Sequence, residues 1–157
     1  VIRAKTAMLF EASTQCAGLL VNAPAEQTEA LRQYGDKLGI AFQLMDDLLD
    51  YQGDAQTLGK NVGDDLAEGK PTLPLIVAMR QGTPEQAQRV RTAIQKGGIE
   101  DLDAIGQAVR GSGALDYTSA KARQFAEEAI ACLDVLPDSV YKAAMADLAR
   151  FAVERSL

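Results

Sequence analysis

Apolar residues recur at helical spacing along almost the whole chain, and glycine, proline and short polar clusters punctuate them. Ala4, Ala7, Met8, Phe10, Ala12, Cys16, Leu19 and Leu20 cover most sides of residues 1 to about 20, which predicts one buried helix. Lys5 and Glu11 must find partners or water within it. Asn22-Ala23-Pro24 predicts a turn, and Pro24 suits the first turn of a second helix running to about Tyr51. Gly35 and Gly39 lie four apart in that helix and would let a neighbour come close. From Gln52 to Gly69 the glycines predict a loop with one short helical turn, long enough to suggest a lid or binding loop.

Pro71 then opens a short apolar helix that ends before Gly82. Thr83-Pro84-Glu85-Gln86 has the form of a capping box, with Thr83 as N-cap of a helix to about Gln95. Gly97-Gly98 ends it. Leu102, Ile105, Ala108 and Val109 give the next helix its apolar stripe, closed by Gly111 and Gly113. Ala114 to Leu136 reads as a helix stopped by Pro137, and Asp138 or Ser139 should cap a last one to about Arg155. The chain therefore reads as all-α.

Composition narrows the chemistry. The 157 residues are 47% apolar and only 5% aromatic, enough for one domain of packed helices. A net charge of −6 without a basic patch argues against nucleic acid as a partner. There is no histidine, which removes the usual general base, the Ser-His and Cys-His pairs and most zinc sites. Cys16 and Cys132 follow no ligand spacing and read as small buried hydrophobes in a reducing compartment. With no apolar run of about 18 residues and no signal peptide, a cytoplasmic protein without an integral membrane segment is expected.

Asp46, Asp47 and Asp50 then stand out in the apolar run Phe42-Gln43-Leu44-Met45-Asp46-Asp47-Leu48-Leu49-Asp50. With about 3.6 residues per turn, Asp46 and Asp50 are one turn apart with Asp47 beside them, on the side of Gln43. Like charges so placed repel by a few tenths of a kcal/mol per pair and call for a cation. Mg²⁺ fits: it is hard, prefers oxygen, and is commonly shared between carboxylates and substrate phosphates. Lys60 and Lys70 sit among glycines, where backbone can approach a ligand, and Lys5-Thr6 adds another cation and a hydroxyl. Together these residues describe a metal-bridged diphosphate site.

Lys5-Thr6-Ala7-Met8-Leu9-Phe10, Phe42-Gln43 with Asp46-Asp47-Leu48-Leu49-Asp50, Gly59-Lys60, and Gly63 to Leu75 occur in the order seen in the trans-isoprenyl diphosphate synthases. The chain resembles that family, and within it the octaprenyl diphosphate synthases of bacteria. The resemblance implies the C-terminal portion of an isoprenoid synthase-type helical bundle, usually a homodimer. It also implies addition of isopentenyl diphosphate to an allylic diphosphate such as farnesyl diphosphate, giving a long trans-polyprenyl chain for a quinone. Mg²⁺ would lie at Asp46, Asp47 and Asp50. Lys5, Lys60 and Lys70 would hold diphosphate charge, Thr6 and Gln43 would position substrate, and Phe42 would wall the pocket. The family's earlier aspartate-rich motif has no counterpart here. Val1 opens in what reads as mid-helix, so residues 1–157 are expected to be the C-terminal part of a single synthase domain, inactive alone.

Blander readings compete at each residue. A solvated acidic helix end is disfavoured for the aspartates by the surrounding Phe42, Leu44, Met45, Leu48 and Leu49. An EF-hand starting at Asp50 fails because Ala55 stands where Gly is needed and no Glu closes the loop. Asp64, Asp65 and Glu68 read as solubilising charges or lysine partners outside the ligand set. Thr6 could return its hydroxyl to the preceding turn. Two other functions remain: a non-catalytic subunit offering one metal half-site, and a terpene cyclase, for which the Lys-Thr and Gly-Lys segments would be unexplained.

Overall fold

A computed structural model describes residues 1–52, 64–96 and 101–154, and every regular element among them is helical. A π-turn at Arg3–Ala7 leads into α1 (Met8–Leu20), followed by α2 (Ala25–Gln52), α3 (Asp64–Ala67), α4 (Leu73–Gln81), α5 (Pro84–Lys96), α6 (Leu102–Gly111), α7 (Ala114–Cys132) and α8 (Val140–Glu154). A 3₁₀ turn, Leu133–Val135, follows α7. Most of the expected loop after Gln52 lies outside the described residues. So does the Gly97-Gly98 stop. Among the described residues no helix is long and apolar enough to cross a membrane.

The chain forms two compact units, one of Val1–Met45 with the segment from Lys121 onward, the other of Asp46–Ala120. In the first, Tyr34 and Leu38 of α2 pack with Ala129, Leu133, Ala149 and Ala152. The Tyr34 hydroxyl donates to the Met145 carbonyl at 2.8 Å, tying α2 to α8. Burial pushes the Tyr34 phenol up to about 12. An unfolded tyrosine ionises near pH 10, so between pH 10 and 12 the folded chain holds a proton that the unfolded chain has lost, and stability falls as pH rises. Tyr34→Phe is expected to cost about 1 kcal/mol at neutral pH for the lost bond, and to escape about 2 kcal/mol of the alkaline loss. Urea titrations at pH 7, 10 and 12 check both.

The close helix approach expected at Gly35 and Gly39 is present. A Cβ on Gly35 would stand 2.5 Å from the Phe10 carbonyl oxygen, and one on Gly39 would stand 2.6 Å from the Ala7 Cα. The expected burial of α1 on most sides is not observed: Met8, Leu9, Leu19 and Leu20 are exposed, because α1 lays only one face on α2 and its apolar residues outnumber what that face can hold. Cys16 is likewise exposed rather than buried, and Cys132 is half-buried; both thiols are free. Glu11 finds its partner in Arg32.

In the second unit Tyr51, Leu66, Leu75, Val90, Ile105 and Val109 form the core. The short apolar helix starts later than expected, with Thr72 as N-cap and Pro74, rather than Pro71, in its first turn. The capping box is formed: the Thr83 amide donates to Gln86 Oε1 at 2.8 Å and the Gln86 amide to Thr83 Oγ1 at 3.3 Å. Thr83→Ala should cost about 1 kcal/mol, read as a lowered melting temperature. In the first unit Ser139 caps α8, accepting from the Lys142 amide at 3.1 Å, while Asp138 pairs with the Lys142 ammonium.

Candidate active site

The π-turn widens the start of the first helix by one residue per turn, so the Met8 amide reaches back to the Arg3 carbonyl. Thr6 lies within this turn. The Thr6 hydroxyl donates to Gln43 Oε1 at 2.7 Å, across to the neighbouring helix rather than back along its own turn. Phe42 is half-buried with its ring centroid 5.6 Å from that of Phe10, and Lys5 is exposed. Arg3 Nη2 lies 2.7 Å from Asp36 Oδ2 on buried Asp36, a second clasp between the π-turn and α2 that sequence reasoning missed. No periodicity pointed to it, since two charges 33 positions apart meet only once the helices are packed.

In the other unit, the C-terminal end of α2 presents Asp46 and Asp50 half-buried and Asp47 buried at 4% exposure. Asp50 Oδ2 accepts from the Asp65 amide at 3.4 Å, so the α3 turn leans on the carboxylate set. Gly69, at φ +67°, reverses the chain after α3, and a side chain there would be strained and would meet the Ile94 carbonyl oxygen at 2.9 Å. The reversal brings the Lys70 ammonium 2.6 Å from Glu68 and 2.9 Å from Asp65. Those two carboxylates, Glu68 first, hold the Lys70 pKa well above its ordinary value. Asp65 and Glu68 are thus lysine partners, one of the two roles read for them. Lys60 lies outside the described residues.

Among the described residues no three His, Cys, Asp or Glu side chains converge as a complete metal cage. A Mg²⁺ ion takes one or two carboxylates and fills its remaining positions with water and phosphate oxygen. The donor set at Asp46, Asp47 and Asp50 is all oxygen and anionic, so the residues present fit such an ion. Tyr51 follows them, and burial pushes its phenol well above its usual value, with the carboxylates of Asp50, Asp65 and Asp47 adding to the effect.

Residues 1–110 match the family model described as "Polyprenyl synthetase". The chain belongs to the polyprenyl synthetase family. It is 53% identical over 156 residues to octaprenyl diphosphate synthase of Escherichia coli (strain K12), covering 99% of this chain and 48% of that protein. Among solved structures it is similar to a polyprenyl synthase from Caulobacter crescentus CB15 complexed with calcium and isoprenyl diphosphate, at 43% identity and TM-score 0.89 over 98% of this chain and 48% of that one. It is also similar to geranylgeranyl pyrophosphate synthase from Corynebacterium glutamicum complexed with isoprenyl diphosphate and magnesium, at 32% identity and TM-score 0.86, over 98% of this chain and 45% of that one. The all-α isoprenoid synthase fold follows. The chain spans about half the length of the curated relatives it matches.

Proposed function

We infer that the protein is a Mg²⁺-dependent trans-polyprenyl diphosphate synthase, extending an allylic diphosphate such as farnesyl diphosphate with isopentenyl diphosphate units to an octaprenyl chain for a quinone. The observation that carries this reading is the 53% identity to an octaprenyl diphosphate synthase across 99% of the chain. Asp46, Asp47 and Asp50 would hold the ion, which when bound offsets the charge of the diphosphate as the C–O bond breaks. Lys5 and Lys60 would hold the substrate's remaining negative charge. Lys70 would join them by leaving Glu68, the more exposed of its two partners. Thr6 and Gln43, joined through the Gln43 amide oxygen, would position substrate, and Phe42 would wall the prenyl chain. The departing diphosphate would take the proton lost when the double bond forms.

A homodimer in the cytoplasm belongs to the same proposal. Incubation with Mg²⁺, farnesyl diphosphate and labelled isopentenyl diphosphate, followed by product chromatography, tests it. Linear polyprenyl diphosphate lost on chelation is the expected result; a cyclic hydrocarbon, or no product from the full-length protein, would overturn it.

A further inference from the structure

Tyr51 lies one helical turn after Asp47 and next to Asp50, its ring in the core of its unit at 2% exposure. Its hydroxyl oxygen is buried and has no hydrogen-bond partner among the described residues. The same holds for Thr72 Oγ1, on a residue 8% exposed. The Thr72 side chain acts directly on the Tyr51 phenol, and the carboxylates of Asp50, Asp65 and Asp47 bear on it as well. Buried hydroxyls are nearly always paired, because leaving one unpaired forfeits its hydration for nothing. Phenylalanine and valine would fill the same space without that cost. Two such exceptions side by side, at the edge of a carboxylate cluster, point to a task for the hydroxyls.

We propose that Thr72 and Tyr51 form a positioning chain for the cation site, Thr72 Oγ1 donating to Tyr51 Oη and Tyr51 Oη donating to the carboxylate of Asp47 when a divalent ion draws the aspartates together. The donor count closes, since each hydroxyl has one proton to give and the phenol oxygen accepts one. Asp47 is the buried member of the three and stands at the i, i+4 spacing to Tyr51 that brings side chains together on one helix face. Groups that orient a metal's ligands in this way change affinity by tenfold or more when removed. Neither residue touches the diphosphate in this arrangement; both act through Asp47.

This rests on the reading of Asp46, Asp47 and Asp50 as the cation ligands, and the test separates the two. Mn²⁺, as a spectroscopic stand-in for Mg²⁺, is titrated into the full-length protein and its Tyr51→Phe and Thr72→Val variants, with metal-free thermal melts alongside. The expected result is an Mn²⁺ affinity about tenfold weaker in Tyr51→Phe and less affected in Thr72→Val. The metal-free melting temperatures should be unchanged or higher, because each substitution deletes a buried unpaired group. Equal Mn²⁺ binding by parent and Tyr51→Phe would overturn the positioning chain alone. No Mn²⁺ binding by the parent would overturn the cation site and the chain with it. Should Tyr51→Phe not fold, equal binding by parent and Thr72→Val overturns the chain.

Discussion

Asp46→Ala is expected to lower kcat/KM for polyprenyl transfer by about a thousandfold or more, close to 4 kcal/mol of transition-state stabilisation, with the helix content unchanged. Asp46 is a sharper probe than its neighbour. Asp47 is buried, so removing it mixes lost packing with lost charge, whereas Asp46 is only half-buried and its truncation leaves no closed cavity. Removing one of three like charges at the end of α2 also relieves repulsion of a few tenths of a kcal/mol per pair, which counts in favour of the metal-free variant's stability. Initial rates with farnesyl and isopentenyl diphosphate over a range of Mg²⁺ concentrations, with circular dichroism as the folding control, decide the matter. Partial recovery at high Mg²⁺ would mark Asp46 as a ligand, and unaltered turnover would end the assignment.

The long-range order of the fold was legible because its signals are local. Helical periodicity placed the long helix from near Pro24 to Tyr51, observed as Ala25–Gln52, and Thr83 with Gln86 announced a capping box that the structure forms. Gly35 and Gly39 could be read as close-approach positions since glycine in a long helix sacrifices stability unless something lies against it. What could not be read depends on how helices rotate against each other. Arg3 meets Asp36, and Thr6 meets Gln43, from within a π-turn at the start of the chain that helical periodicity does not announce. The exposure of Met8, Leu9, Leu19 and Leu20 was hidden for the same reason: an apolar helix announces that it can be covered, not by what.

For the site, residue identity carried more than position. The aspartates, lysines and Thr6-Gln43 were nameable from a family resemblance, and the matched family agrees with it. Their mutual arrangement was not nameable. Lys70 looked like a diphosphate ligand in sequence, yet Gly69 folds it onto Asp65 and Glu68, and only coordinates reveal that competition. Tyr51 was read only as the approximate end of the long helix, and nothing in the sequence marks its hydroxyl or that of Thr72 as buried.

Gly39→Ala should destabilise the protein by about 2 kcal/mol and raise KM for the diphosphate substrates, although alanine is the better helix former. In an open helix the exchange gains up to about 1 kcal/mol. Here the new Cβ would stand 2.6 Å from the Ala7 Cα, 3.0 Å from its Cβ and 3.2 Å from the Phe10 Cβ. Carbon atoms in contact prefer about 3.5 Å or more, so the Ala7 backbone must retreat by roughly 1 Å. Backbone cannot rotate away as a side-chain tip can, and such overpacking costs about 1–3 kcal/mol. The retreat also draws Thr6 from Gln43 and Phe10 from Phe42, adding the loss of a hydrogen bond worth about 1 kcal/mol. The clash therefore exceeds the propensity gain. Gly111 supplies the control, since a Cβ there meets nothing within 4 Å and Gly111→Ala should leave stability unchanged or raise it by a few tenths of a kcal/mol. Urea unfolding of both variants, with substrate titrations for Gly39→Ala, gives the answer: equal stability changes at the two glycines would mean that α1 yields freely, and that the Thr6–Gln43 bond depends on something other than the close approach of α1 to α2.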